Sequence, residues 1–175
     1  MSDVMKNKAY YLNLRKKFTP KTVKIIFVLE SPPKSGLYFY DQRDRTSEPL
    51  FKAVMKVLNI DHENKAEGLE KFKSKGCLLM DATYTPVNNL RGVKKDKAIL
   101  EDYNSLVSDL RNNTRKNTKI ILVKVNICDL LEYRLRNEGF NIINRGVRVP
   151  FPNHVHQGRF HQEINIIFKN EGIKV

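Results

Sequence analysis

Residues 76–88, GCLLMDATYTPVN, join a short apolar run to an acidic residue and then to a polar loop that contains a proline. The run from Gly76 to Met80 is typical of a short buried strand, and Asp81 stands where that strand should end. Ligands of open parallel sheets bind beyond the carboxyl ends of the strands, which makes Asp81 a candidate site residue. The alternative is that Asp81 only caps the amides of Thr83 or Tyr84 in a turn.

Strand and helix patterns alternate along the rest of the chain, which predicts an α/β fold. Residues 23–29, VKIIFVL, and 119–125, KIILVKV, resemble parallel strands that are covered on both faces. Residues 140–144, FNIIN, could form a fourth strand. We therefore expect a three-layer α/β/α sandwich with a mostly parallel central sheet of about four strands, in a single domain over residues 1–175.

Helices are predicted between and after these strands, with a basic helical segment at residues 1–21. One helix starts near Pro49, where Thr46 to Glu48 precede apolar residues at helical spacing. Others begin at Asp96, cover 128–138 before Gly139, and cover 158–169. In the helix from Asp96, the residues expected to be buried are Ile99, Leu100, Tyr103, Leu106, Val107 and Leu110. In the helix at 158–169, they are Phe160, Ile164, Ile167 and Phe168.

Length and composition exclude several classes of protein. With 175 residues, 41% of them hydrophobic, the chain suits one core of ordinary size. No apolar run approaches the roughly 20 residues that cross a bilayer, and the first residues lack the apolar region of a secretory signal. We expect a soluble, intracellular monomer, cytoplasmic (nucleoid-associated) or nuclear. Cys77 and Cys128 lack CxxC spacing and neighbouring histidines, so we expect reduced core thiols, no metal and no cofactor.

The charge indicates a polyanionic partner. Thirty-two Lys and Arg residues against nineteen Asp and Glu residues give a net charge of +13, which favours contact with phosphates. Seven of the basic residues lie within residues 1–24, and another group comprises Arg91, Lys94, Lys95 and Lys97. DNA, double- or single-stranded, is the leading candidate, and the alternative is an ordinary solvated basic surface.

Three polar, proline-rich loops fall after predicted strands. They are residues 29–40, LESPPKSGLYFY, residues 81–89, DATYTPVNN, and residues 149–161, VPFPNHVHQGRFH. Proline and glycine in such loops often only shape turns. Because the carboxyl ends of parallel strands share one edge of the sheet, the three loops together predict a binding site there.

These segments resemble the uracil-DNA glycosylase superfamily over roughly residues 22–168. Glu30 matches the Glu of the Gly-Glu-Ala-Pro-Gly motif of the heat-stable branch, and GCLLMDA matches the middle strand that ends in a base-reading Asn. The last loop, His-Pro-Ser-Pro in the family, matches residues 149–152, VPFP. The resemblance implies a base-stacking aromatic, here one of Tyr38, Phe39 or Tyr40.

Two departures from the family pattern bear on the chemistry. Asp81 replaces the Asn, which implies a base other than uracil. An ionised carboxylate only accepts hydrogen bonds, and it would face O4 of uracil, which is also an acceptor. A base with an exocyclic amino group, such as cytosine or adenine, fits better. Val149 replaces the His that stabilises the departing base, and His154 and His156 could supply that function from shifted positions.

Cleavage of an N-glycosidic bond explains why these residue types would be placed together. A carboxylate such as Glu30 can orient water and balance the positive charge of the sugar, although Glu30 could instead fix the amides of the Ser31 to Gly36 turn. Ser31 and the aromatic residues named above could hold the flipped base. The expected DNA contacts are Lys34, Ser35, Arg91, Lys94, Asn153, Gln157 and Arg159.

The sequence thus predicts a DNA glycosylase-like hydrolase that acts on a flipped base in base excision repair. Two alternatives stay open: a catalytically silent nucleic-acid-binding module of the same fold, and a nucleoside or nucleotide hydrolase. Salt dependence separates DNA binding from nucleoside hydrolysis.

Overall fold

The computed structural model describes residues 6–43 and 45–175, and within them the chain forms three strands and seven helices. The predicted α/β class with a parallel sheet is confirmed. The strands are β1 (Ile25–Leu29), β2 (Cys77–Asp81) and β3 (Lys119–Leu122). The helices are α1 (Lys8–Lys17), α2 (Pro49–Val57), α3 (Lys65–Ser74), α4 (Gly92–Glu101), α5 (Tyr103–Asn113), α6 (Val125–Asn137) and α7 (Gln157–Asn170).

The sheet has the order β2-β1-β3, with both outer strands parallel to β1. Leu29 pairs with Asp81, and Val28 pairs with Leu122, so all three strands end at one edge. Every residue of β1 and β2 is buried, as their continuous apolar runs predict. The residues that follow the strands are therefore brought together at that edge.

The expected fourth strand at 140–144 is reduced to one parallel bridge, between Ile120 and Ile142. The physical reason is the side chain of Asn144. Its Oδ1 accepts from Leu122 N at 2.7 Å, and its Nδ2 donates to Leu122 O at 3.0 Å. A side-chain amide thus takes the place of a neighbouring backbone, and the pairing ends.

The helices start and end differently from the sequence prediction at several points. The helix expected from Asp96 begins at Gly92 and breaks at Asp102, so its predicted stripe is divided between α4 and α5. The helix expected from residue 128 begins at Val125, because β3 ends at Leu122 instead of residue 125. Helix α3 had no predicted counterpart, although the Asn64 side chain caps it.

Helix α1 lies within the predicted basic segment 1–21, of which residues 1–5 fall outside the described residues. It is fixed to α5 by Arg15, whose guanidinium donates to both Asp109 oxygens at 2.7 and 2.8 Å. In the part of the chain that the structure describes, every helix is too short or too polar to cross a membrane. Cys77 and Cys128 are buried free thiols, as predicted.

Candidate active site

Each strand delivers a charged residue to the carboxyl edge of the sheet. Glu30 directly follows β1, Asp81 ends β2, and Lys124 comes two residues after β3. All three line one cavity of about 170 Å³. We call it the base cavity, after the ligand that the sequence analysis predicts. Parts of the loop 30–39, Glu48 and Leu50 near the start of α2, Leu79, Asn88 and Phe151 complete its walls.

Glu30 is surrounded by donors although only 5% of its surface is exposed. Its Oε1 accepts from Asn126 Nδ2 at 2.7 Å and lies 3.4 Å from Lys95 Nζ, and its Oε2 accepts from Lys124 Nζ. Burial raises the pKa of Glu30, but the hydrogen bonds and charges of these partners outweigh it and leave the pKa below its ordinary value of 4.5. Glu30 is therefore ionised at neutral pH, and side chains, instead of the amides of the 31–36 turn, hold its carboxylate.

Lys124 reaches Glu30 from an unusual backbone conformation, with φ of 85° and ψ of 128°. Its amide donates to the carbonyl of Val149 at 2.9 Å, which fixes the turn. A non-glycine residue at such a φ costs about 1–3 kcal/mol, a strain found most often at functional sites. Sequence reasoning missed Lys124 because the strand was predicted to continue to residue 125.

Asp81 is as buried as Glu30 but lacks compensating cations close by. Within the described residues its Oδ2 has no hydrogen-bond partner. Burial raises the pKa of Asp81 from 3.8 to about 7, and the positive charge of Arg15 opposes this shift. A large fraction of Asp81 is therefore protonated at neutral pH and can donate a hydrogen bond.

The turn-capping alternative for Asp81 is not what the structure shows. The Thr83 amide donates to the Glu30 carbonyl at 3.0 Å, and the described residues contain no hydrogen bond from the Thr83 or Tyr84 amide to the Asp81 carboxyl. Asp81 also borders a second cavity of about 290 Å³ beside α1 and α5. Asp81 therefore lies between two cavities, with a buried carboxyl oxygen that has no hydrogen-bond partner among the described residues.

The aromatic residues 38–40 are all buried. Tyr40 lies in the core, where its hydroxyl donates to Leu79 O at 3.0 Å and accepts from Leu79 N at 2.7 Å, and it is not among the described residues that line the base cavity. Tyr38 and Phe39 do line it. Half-buried Phe151, which sequence reasoning did not select, supplies another aromatic wall.

The first loop places Ser31 in the wall of the base cavity. Lys34 and Ser35 of the same loop are exposed and are not among the described residues that line the cavity. The Lys34 amide donates to Asn88 Oδ1 at 3.3 Å, which joins the first loop to the second. Arg91 and Lys94 are exposed at the start of α4, consistent with their expected role as phosphate contacts.

The histidines are not brought into the base cavity. His154 is exposed and lines a separate groove, and His156 precedes α7 without lining the base cavity. The reason is the turn before α7, in which Asn153 Oδ1 accepts from the amides of Val155 and His156 at 3.1 and 3.0 Å. Val149, in the family's His position, is fully buried, so neither it nor a shifted histidine reaches a base there.

Three residues expected to contact DNA also have partners within the protein. Asn153 caps the turn just described, and Gln157 Nε2 donates to Pro49 O at 2.9 Å and to Pro152 O at 2.5 Å. Arg159 lies 3.7 Å from Glu163 and stays exposed. Between them, Val155 is 84% exposed. An apolar side chain at a loop tip is better suited than these amides to fill the space that a flipped base leaves.

No protein-family model matches the chain, and no curated protein matches it. The function is therefore inferred from the geometry of the site.

Proposed function

We propose that the protein is a DNA glycosylase-like hydrolase that takes a flipped base into the base cavity and cleaves its N-glycosidic bond. The observation that carries the proposal is the pair of buried carboxyls, Glu30 and Asp81, whose surroundings push their pKa values in opposite directions. Such a split assigns one group to the basic role and the other to the acidic role.

The size of the cavity favours a base over a whole nucleotide. Pockets for drug-sized ligands occupy roughly 300–1,000 Å³, whereas the base cavity has about 170 Å³. A single aromatic ring system fits this space, while the sugar and phosphates stay outside. This favours a base extruded from DNA over the nucleoside or nucleotide hydrolase alternative.

Glu30 suits the sugar side of the reaction. Its ionised carboxylate can orient a water molecule towards C1′, accept a proton from it and balance the positive charge that develops on the sugar. Lys124 and Asn126 hold both of its oxygens, so they position the carboxylate for this role.

Asp81 suits the base side and replaces the missing histidine. Its protonated form can donate to a ring nitrogen and accept from an adjacent amino group, the pattern on the edge of cytosine or adenine. As the bond to C1′ breaks, its electrons pass to the base, and the proton of Asp81 passes to the ring nitrogen. Glu30 takes the proton of the attacking water, and solvent restores both carboxyls.

The wider proposal concerns DNA and the cell. Exposed Lys94 and Arg159 are contacts for the backbone, so charge reversal at both should weaken binding to all DNA sequences alike. The proposal includes a monomer acting in base excision repair, nucleoid-associated in the cytoplasm or in the nucleus. It also includes the three-layer sandwich, supported by strands that are buried on both faces.

A second candidate is a catalytically silent nucleic-acid-binding module. One observation favours it: Glu30 is already bound by Lys124, Asn126 and Lys95, which would have to share it with a water molecule. The two candidates differ in base release, since both bind DNA.

A panel of DNA duplexes, each with one modified or mismatched base, tests the proposal. After incubation, alkaline treatment cleaves the strand at any abasic site. We expect strand breaks at a base that carries an amino group, and none with Glu30→Gln. DNA binding without breaks in any duplex would favour the silent module.

A further inference from the structure

A groove of about 510 Å³ lies beside the base cavity and shares Leu37 and Glu48 with it. Its other lining residues are Arg43, Arg45, Ser47, Pro49 and His154, and we call it the arginine groove. Of the residues that line this groove, only His154 was predicted from the sequence to be a functional residue. The two shared residues show that the arginine groove and the base cavity are adjacent.

Arg43 is held in place while its side chain stays 77% exposed. Its Nη2 and Nε donate to the two oxygens of buried Asp41 at 2.7 and 2.9 Å. Arg45 is exposed, and none of the described acidic side chains forms an ion pair with it. The groove therefore presents the exposed guanidinium of Arg45, the group best suited to bind a phosphate through two parallel hydrogen bonds. The neighbouring guanidinium of Arg43 is fixed, with Nε and Nη2 bound to Asp41.

The acidic residue of the groove does not cancel this charge. Glu48 accepts from the amides of Leu50 and Phe51, both at 3.1 Å, and so caps α2. Its carboxylate also lies 3.9 Å from the ammonium of buried Lys65. Because Glu48 already serves the helix and is offset by Lys65, the groove as a whole favours an anion.

We propose that the arginine groove binds a phosphate ester of the nucleic-acid strand whose base enters the base cavity. This inference rests on the proposed function and adds the residues that grip the strand. Arg45 and Arg43 contact a phosphodiester near the flipped nucleotide, with Ser47 and His154 as further donors at the groove wall. The base then supplies specificity, and the arginine groove supplies affinity that does not depend on sequence.

The test compares Arg45→Ala, Arg45→Lys and the control Arg115→Ala. Arg115 is an exposed arginine that precedes β3, at the opposite edge of the sheet. For each variant, the association constant for a duplex oligonucleotide is measured over a range of salt concentrations. The slope of log K against log salt should become shallower by about 0.9 for each lost phosphate contact on duplex DNA.

We expect the shallower slope for Arg45→Ala only. Arg45→Lys should keep the slope, because it keeps the charge, but should bind less tightly because it loses the forked geometry. Equal slopes for Arg45→Ala and Arg115→Ala would overturn the inference, as would a wild-type affinity that does not depend on salt. Base release by the wild-type protein is measured in parallel, so loss of the arginine contact is told apart from failure of the proposed function.

A second experiment measures competition between a nucleoside 5′-monophosphate and the duplex, and so distinguishes a free nucleotide from a DNA strand as the source of the phosphate. If the groove serves a DNA strand, the mononucleotide should compete only weakly with the duplex. Strong competition that Arg45→Ala abolishes would overturn the assignment to nucleic acid and place a free nucleotide in the groove.

Discussion

The base cavity contains two carboxyls with the same burial and opposite surroundings. Glu30 and Asp81 are each 5% exposed, at the ends of neighbouring strands. Lys124, Asn126 and Lys95 surround Glu30, whereas the cation that lowers the pKa of Asp81 is Arg15, which is hydrogen-bonded to Asp109. Burial raises both pKa values, but only at Glu30 do partners reverse the effect. The placement of cations, and not depth, decides which carboxyl is ionised.

The contrast also shows how a site without a histidine can hold both an acid and a base. One carboxyl receives compensating donors and stays charged, and the other receives none and keeps its proton near neutral pH. The unpaired Asp81 destabilises the fold when it ionises, so its presence is easier to explain by a bound ligand than by stability.

Replacement of Glu30 should have the largest effect on activity. Glu30→Gln keeps the shape but cannot take a proton from water, so base release in single-turnover assays should fall by about 100-fold or more. Binding of the same duplex should survive, which separates a chemical defect from a folding defect. Full activity in Glu30→Gln would contradict the different roles of the two carboxyls and would show that another group activates the water.

Asp81→Asn should change how stability depends on pH. The folded pKa of Asp81, about 7, lies above its unfolded value, so its contribution to stability is full below pH 3.8 and is lost as the pH rises through about 7. Each unit of difference corresponds to about 1.4 kcal/mol. The variant should therefore be more stable than the wild type at pH 8 by a few kcal/mol.

Urea unfolding of Asp81→Asn and the wild type at pH 5 and pH 8 measures this difference. The gap should widen between the two pH values, and equal gaps would contradict a raised pKa. The same variant has no acidic proton to pass to the departing base, so its release of a base that carries an amino group should fall.

Two substitutions at Lys124 measure the strain that places its ammonium on Glu30. Lys124→Gly and Lys124→Ala both lose the ion pair, but glycine adopts a φ of 85° without a steric penalty. Lys124→Gly should therefore be more stable than Lys124→Ala by about 1 kcal/mol in the free energy of unfolding. A more stable alanine variant would indicate that the backbone at this position is not strained.

The smallest expected effect concerns two adjacent lysines of α4, Lys94 and Lys95, which we expect to have different roles. Lys95 lies 3.4 Å from Glu30, whereas Lys94 is exposed. Lys95→Met removes a cation that lowers the pKa of Glu30, so base release should be lost at a higher pH than in the wild type as the solution is acidified. Lys94→Met is the matched control and should weaken DNA binding without moving this limb of the pH profile.

The parts of the site that follow directly from strand patterns were predictable from the sequence. Apolar runs that end in an acid placed Glu30 and Asp81 at the carboxyl edge, where the structure has them. The partners of Glu30 were not predictable, because Asn126 and Lys95 reach it from α6 and α4 through tertiary packing. The positive φ of Lys124 has no local signal in a residue other than glycine.

Other predictions from the sequence failed where a polar side chain is hydrogen-bonded to the backbone inside the core. Asn144 satisfies Leu122 and ends the sheet after one bridge, which an apolar run such as FNIIN cannot reveal. Tyr40 satisfies its hydroxyl on the backbone of Leu79, so a residue with a polar tip is fully buried.

The protonation states of Glu30 and Asp81 are the central claim, and carboxyl carbon NMR measures them directly. Glu30→Gln and Asp81→Asn assign the two resonances, and each is then followed from pH 3 to pH 9 in the wild-type protein. The account predicts that Asp81 titrates near pH 7 and Glu30 below pH 4.5. Titration of Asp81 near pH 4, so that both carboxyls are ionised at neutral pH, would contradict it.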